Sequence, residues 1–396
     1  MTSTDSRKIA WPVFAEDERA AAMRVLESGR VNYWTGTEGR AFEQEFASYT
    51  GAKRAVAVAN GTVALELALE ALGVGQGDHV IVPSRTFVGT ATAVVARGAT
   101  PVFADVDRAS GNLTVDTIAA AMTPDARCVI PVHLGGWPCD MDAIMEFADA
   151  HGLLVIEDCA QAHGARWNGR HVGTFGHAGA FSFCQDKIMT TAGEGGMLIT
   201  DDDEVWCRAW EYKDHGRSME AMERAAALGG HEFKYVVDSF GTNWRMTEVQ
   251  AAIGRVQLGK LDHWVETRRR NAALLDEALQ GVPGIRITVP PAEAFHSYYK
   301  YYAHVDLSAL QDGWTRARIL SEMNTRGAVC LQGTCTEIYR EKAFVDAGFA
   351  PVERLPVAAE LDEISIMLLV DPTYSESDVI RTVEALREVM VEATGG

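Results

Sequence analysis

The sequence has no run approaching the roughly 18 uninterrupted apolar residues of a membrane span, and its opening, MTSTDSRKIAWPVFAEDERA, lacks the apolar core of a secretory signal. No CxxC pair occurs. The cysteines, at 128, 139, 159, 184, 207, 330 and 335, are odd in number and scattered, which argues against a disulfide framework and for reduced thiols packed as small hydrophobes. The histidines form no HExxH or other ligand spacing, so no metal site is expected. Basic charge is also scarce: 36 Lys and Arg against 55 Asp and Glu give a net charge of −19, a field that repels polyanions. The expectation is a cytoplasmic chain with neither a nucleic-acid nor a membrane partner.

What is present is the composition of a folded globular protein: 396 residues, 47% hydrophobic and 23% charged, with 36 Gly and 12 Pro. That length allows two or three domains. From Arg54 to about Gly152 the apolar runs RAVAVA, HVIVP, PVFADV and RCVIPVHL alternate with helix-period stretches, which predicts βαβ units and a mostly parallel sheet covered on both faces. LLVIED adds a strand ending at Asp158, and GAFSF and GGMLIT read as two more. Residues 216–240 carry mixed polarity around a Gly-Gly pair and read as a long loop or lid. Beyond Trp264 the pattern changes to a long charged helix, a strand at KYYAHVD, a helix near WTRARILSEMN, a strand at ISIMLLVD and a final amphipathic helix. The chain is therefore divided into a large α/β domain, 1–260, and a smaller α+β domain, 261–396.

Four features could carry chemistry. Lys187 is flanked by apolar strand residues and precedes a Gly-rich turn. Most lysines are solvated, but a desolvated amine can form a Schiff base and act as a base. Asp158 ends an apolar strand with Gln161 three residues on, where ligands of α/β sheets collect, although an aspartate there also suits a helix N-cap. Asn60-Gly61-Thr62 joins a strand to a helix and could offer backbone N–H groups to a phosphate or merely cap the helix. Phe87, just after HVIVP, could stack on a ring or belong to the core. The glycines at 73, 75 and 77 follow a helix and precede a strand, the reverse of a dinucleotide-binding turn.

Taken in order, NGT, TF, EDCAQAHGA, FSF, Lys187 with TTAGEGG, and GTNWRMTEVQAA resemble the DegT/StrS-type sugar aminotransferases, pyridoxal phosphate enzymes of fold type I. The resemblance implies an aspartate-aminotransferase-like α/β fold: a large domain with a mostly parallel, mixed seven-stranded sheet, and a smaller C-terminal α+β domain. It implies that Lys187 binds the cofactor covalently and later moves a proton, that Asp158 pairs with the pyridinium nitrogen, and that Gln161 meets the ring hydroxyl. Gly61, Thr62 and Ser182 would hold the phosphate and Phe87 would stack on the ring. Asn243 would reach the phosphate of a neighbouring subunit, so that a homodimer shares its sites. Arg245, in the same motif, receives no role.

Two departures stand out. Cys184 and Gln185 replace residues that many relatives carry before the lysine, and Gly135-Gly136-Trp137 replaces an aromatic-Gly-Gln loop. The resemblance implies amino transfer from L-glutamate to a nucleotide-linked 4-keto-6-deoxyhexose, giving a 4-amino-4,6-dideoxy sugar. An L-glutamine-dependent cyclitol aminotransferase of the scyllo-inosose type fits the same motifs, and a non-catalytic regulatory relative is a third reading. A related sugar dehydratase is disfavoured because those enzymes replace the lysine with histidine. Substrate choice is expected to depend on residues 30–36, 135–139 and 216–240 and on side chains such as His296 and Tyr299.

Overall fold

A computed structural model describes residues 11–227 and 236–395. Seven strands form the central sheet: β1 Arg54–Val58, β2 His79–Pro83, β3 Thr100–Ala104, β4 Ala126–Val129, β5 Leu154–Asp158, β6 Ala178–Ser182 and β7 Gly196–Thr200, in the order β1-β7-β6-β5-β4-β2-β3. Five strands run parallel through β6-β5-β4-β2-β3, and β7 pairs antiparallel with both β6 and β1. This is the mostly parallel sheet that the alternating runs predict, mixed and seven-stranded as the resemblance implies. Successive side chains leave a strand on opposite faces: Val56 and Val58 enter a core with Leu65, Leu67 and Ile156, while Ala55 and Ala57 enter another with Phe42, Phe46 and Phe183.

The C-terminal part builds a second sheet from β8 Ile285–Ile287, β9 Tyr301–Val305, β10 Cys330–Leu331 and β11 Ser365–Leu368, all antiparallel, in the order β8-β9-β11-β10. Helices Leu261–Leu279 and Glu376–Thr394 cover it, the latter opened by a capping box from Ser375 to Asp378. Leu261 and Val265 pack in the large core, and Ala272, Leu275 and Leu279 in the small one. One helix thus belongs to both cores, and the 260/261 division falls at its first residue. Ile338, Tyr339 and Phe344 return to the first core, so the later segment also clasps the large sheet.

One reading needs correction, and one small sheet was not anticipated. Residues 216–240 are not all loop, because Met219–Ala227 is a helix. The sequence MEAMERAAA is rich in strong helix formers, and the Gly-Gly pair that suggested a loop lies after it, outside the described residues. The pieces Arg166–Trp167, Arg170–His171 and Ala294–Phe295 form a small antiparallel sheet, too short to leave a periodic signal.

The segment 30–36 is fixed from below. Glu43 accepts from the Tyr33 hydroxyl at 3.0 Å, from Ala57 N at 2.9 Å and from Lys213 Nζ at 3.4 Å. Lys213 is fully buried, and burial pulls its ammonium below the usual lysine range against the opposing pull of Glu43. Removing one partner of such a pair strands the other charge, at a cost of about 3–5 kcal/mol. Glu43→Ala is therefore expected to lose about that much in urea unfolding, and Glu43→Leu combined with Lys213→Met to recover most of it.

Candidate active site

Glu157 and Asp158 end β5 side by side, and the strand sends them to opposite faces. Their surroundings differ sharply. Glu157, fully buried, accepts backbone N–H groups from Gly173 at 2.7 Å, Phe175 at 2.7 Å and Gly176 at 2.8 Å, and meets His133 Nε2 at 3.0 Å. Because His133 Nδ1 accepts from Cys139 N at 3.0 Å, its proton sits on Nε2 and points at Glu157. His133, Glu157 and Cys159 place their ligand-type atoms within 4.8 Å of one another, yet the imidazole and the carboxylate are already committed to these hydrogen bonds. The group is a structural lock.

Asp158 has less. It accepts from Thr90 Oγ1 at 2.8 Å and from Ala160 N at 3.1 Å, and burial pushes its carboxyl above the usual aspartate range despite those bonds and the nearby Lys187. No helix begins within residues 159–165, so Asp158 caps none. It lies in the lining of a pocket of about 750 Å³ shared with Gly61, Thr62, Phe87, Gln161, Ser182 and Lys187. Seven of the residues singled out in the sequence therefore meet in one place.

Local chemistry explains each position. Asn60 caps helix Gly61–Ala71 by accepting from Val63 N at 2.9 Å, which leaves the N–H groups ahead of Val63 at the pocket. Gly61 is required by proximity, since a Cβ there would sit 2.5 Å from Ser182 Cβ. Phe87 is 64% exposed, an aromatic face standing at the pocket wall rather than in the core. Gln161 uses its amide oxygen to accept from Gly135 N at 2.8 Å, so its NH₂ end is the free one. Lys187 is held by its backbone: its N–H donates to Cys184 O at 3.1 Å and its carbonyl accepts from Trp11 Nε1 at 2.8 Å.

The lysine's Nζ lies 4.8 Å from the centre of the Tyr299 ring, which Lys300 Nζ approaches at 4.6 Å. The Tyr299 hydroxyl donates to Asp186. Burial works against the Asp186 carboxylate, but Lys187, the Tyr299 hydroxyl and Lys300 together hold it below the usual range; burial pulls Lys300 down to about 8. Gly333, Thr334, Cys335 and Glu341 complete the rim.

Other expectations separate. Asn243 is exposed and is not part of its own chain's pocket. Arg245 pairs with buried Asp214. His296 stacks on Tyr298, ring centres 3.8 Å apart, and lies outside the pocket, whereas Tyr299 lines it. The Gly135-Gly136-Trp137 loop turns to the C-terminal part, where Gly136 O accepts from Ser297 N at 3.0 Å and Gly135 O from Lys300 N at 3.2 Å. A Cβ on Gly136 would lie 2.9 Å from Tyr298 N, and its φ of 94° favours glycine as well.

Residues 12–387 match the model of the DegT/DnrJ/EryC1/StrS aminotransferase family. The chain belongs to that family. This aminotransferase is 37% identical over 383 residues to the spore coat polysaccharide biosynthesis protein SpsC of Bacillus subtilis (strain 168), covering 96% of each chain. It is 36% identical over 382 residues to the dTDP-3-amino-3,4,6-trideoxy-alpha-D-glucose transaminase of Streptomyces venezuelae, covering 96% of this chain and 94% of that one. A solved aminotransferase from Psychrobacter cryohalolentis superposes with a TM-score of 0.93 at 48% identity, over 97% of this chain and 98% of the other. The family depends on pyridoxal phosphate, and the fold is that of its type I enzymes.

Two contacts of the site were not anticipated from the sequence. Thr90 bonds to Asp158 from the start of the next helix, and Asp186 and Tyr299 meet across 113 residues. The signal for Thr90 was available, a hydroxyl three residues beyond Phe87. None was available for the pair. The raised Asp158 carboxyl has a thermodynamic consequence: a group that binds its proton more tightly folded than unfolded favours the fold below the ordinary aspartate range and loses that contribution as pH rises. In cofactor-free protein, Asp158→Asn is expected to raise the thermal midpoint at neutral pH, with the difference from wild type shrinking as pH falls toward about 4.

Proposed function

We propose that this sugar aminotransferase holds pyridoxal phosphate in the pocket built by Lys187 and Asp158, and moves an amino group from L-glutamate to a keto group of a nucleotide-linked deoxyhexose. The observation that carries the reading is the arrangement of opposed groups: a buried carboxylate at the sheet's carboxyl edge, a lysine on the neighbouring turn, and a glycine-narrowed helix N-terminus beside Ser182. These residues fit the cofactor. Asp158 would take a protonated ring nitrogen as its missing counter-charge, the free NH₂ of Gln161 suits a ring hydroxyl, and Gly61, Thr62 and Ser182 suit a phosphate. Phe87 would cover the ring.

When bound, pyridoxal phosphate supplies an electron sink that makes a proton on the substrate carbon removable. Asp158 would hold the ring nitrogen in its protonated form, which such a sink needs. Lys187 would hold the cofactor and would be the base that takes the proton from the substrate carbon and passes it across the nitrogen. Tyr299, fixed by Asp186, borders the lysine and limits its path. We assign Asn243 to the phosphate of a second subunit in a homodimer, in keeping with its exposure.

The expected acceptor is a 4-keto-6-deoxyhexose, whereas the named product of the Streptomyces venezuelae relative carries nitrogen at C3. One observation favours a second acceptor class. Lys187 is the basic residue of the pocket, against Glu66, Asp158, Asp186, Glu194 and Glu341, a lining better suited to an uncharged ketone such as a cyclitol than to a diphosphate.

The test follows the visible absorption that the cofactor gains on covalent attachment to Lys187. That band should vanish with L-glutamate, and the resulting form should then turn over with 3-keto or 4-keto nucleotide sugars. Loss only with L-glutamine, followed by turnover of an inosose, would replace this reading with the cyclitol one. Lys187→Ala should lack the band and lose at least about 10³-fold in turnover; wild-type turnover by that variant would refute the assignment.

A further inference from the structure

Behind the β2 loop lies a second, much smaller chamber, about 20 Å³, lined by Arg85, Ser110, Leu134, Trp137, Tyr302 and His304 among others. It separates the two domains at a point where the large domain delivers a charge. Arg85 is 2% exposed, and its Nη2 donates to Ser365 Oγ at 3.2 Å. Its guanidinium carbon stands 4.7 Å from the centre of the Tyr302 ring. Its Nε has no hydrogen-bond partner among the described residues. Asp362 acts on Arg85 only from beyond ion-pair distance, and its Oδ1 is shared between Thr336 Oγ1 and Gln332 Nε2.

The second sheet, β8-β9-β11-β10, adds more unsatisfied donors to the same place. His304 is the cross-strand partner of both Arg286 and Ser365, and it lies two residues from Tyr302, on the same face of β9. It is 2% exposed, and neither ring nitrogen has a hydrogen-bond partner among the described residues; nor has Arg286 Nη2. Buried polar groups are almost always paired, and a buried guanidinium without a carboxylate is the most costly exception. Arg85 and His304 bring N–H groups to the chamber, Arg286 stands beside His304 on the neighbouring strand, and among the described residues no carboxylate comes within ion-pair distance of Arg85.

We propose that the chamber is a binding site for one monatomic anion, a halide and in a cell chloride, held by Arg85 Nε and His304 between the two domains. Size favours a small anion: the chamber's volume of about 20 Å³ is a small fraction of the 750 Å³ of the larger pocket. Charge decides between chloride and water, since a neutral occupant would satisfy hydrogen bonds but leave the guanidinium without a counter-charge. The anion ties the loop that leads to Phe87 and Thr90 to strands β9 and β11. It is independent of the keto substrate.

Two measurements test it on the protein loaded with pyridoxal phosphate. Thermal unfolding in potassium chloride should give a midpoint about 2 °C above that in potassium gluconate at equal ionic strength, and Arg85→Gln should abolish the difference. Crystals of the wild type grown in sodium bromide should show an anomalous peak within hydrogen-bonding distance of Arg85 Nε and His304, a readout that stands even where the variant folds poorly. Equal midpoints in the two salts, a chloride effect that survives Arg85→Gln, or a water at the chamber without bromide signal would each overturn the proposal.

Discussion

A carboxylate kept dry at the end of the central strand is the constraint around which this aminotransferase is arranged. Two acids share that strand end, and only one is fully paid for by its surroundings: Glu157 has three backbone N–H groups and a histidine, while Asp158 has one hydroxyl and one N–H. An incompletely satisfied buried carboxylate costs stability. Such a group makes sense where a cationic partner is to be bound, and its neighbour's thorough satisfaction keeps the strand end rigid enough to aim it.

The second organising element is the joint between the central sheet and the C-terminal part. Gly135 and Gly136 bring the large domain's loop against the backbone of residues 297–300, and the same Gly135 N–H orients Gln161. Tyr299, on that backbone, reaches Asp186 beside the lysine. A single stretch of the chain, residues 297–300, therefore sets both the amide that faces one side of the pocket and the aromatic surface that borders Lys187. Helix Leu261–Leu279, packed in both cores, makes the relative position of these parts a property of the whole chain.

Much of this was legible in the sequence for identifiable reasons. The strands of the large sheet are short apolar runs bounded by turns, so periodicity located them, and the residues at their carboxyl ends, Asp158 and Phe87 among them, were found by position. Lys187, Gln161 and Ser182 were found through motif order. What stayed hidden depends on long-range approach. The Tyr299–Asp186 bond, the His133–Glu157 lock and the meeting of Arg85 with Ser365 across 280 residues leave no local pattern. The helix Met219–Ala227 was obscured by the glycines that follow it, and Arg245, which sits in a recognisable motif, proves to be engaged with Asp214.

The proposed chemistry requires Lys187 and Asp158 to meet across one ring. A crystal structure of the protein purified with pyridoxal phosphate tests it most directly. The account predicts a covalent link from the cofactor to Lys187 Nζ and a ring nitrogen about 3 Å from an Asp158 oxygen. A link to another lysine, or a ring nitrogen turned away from Asp158, would contradict it.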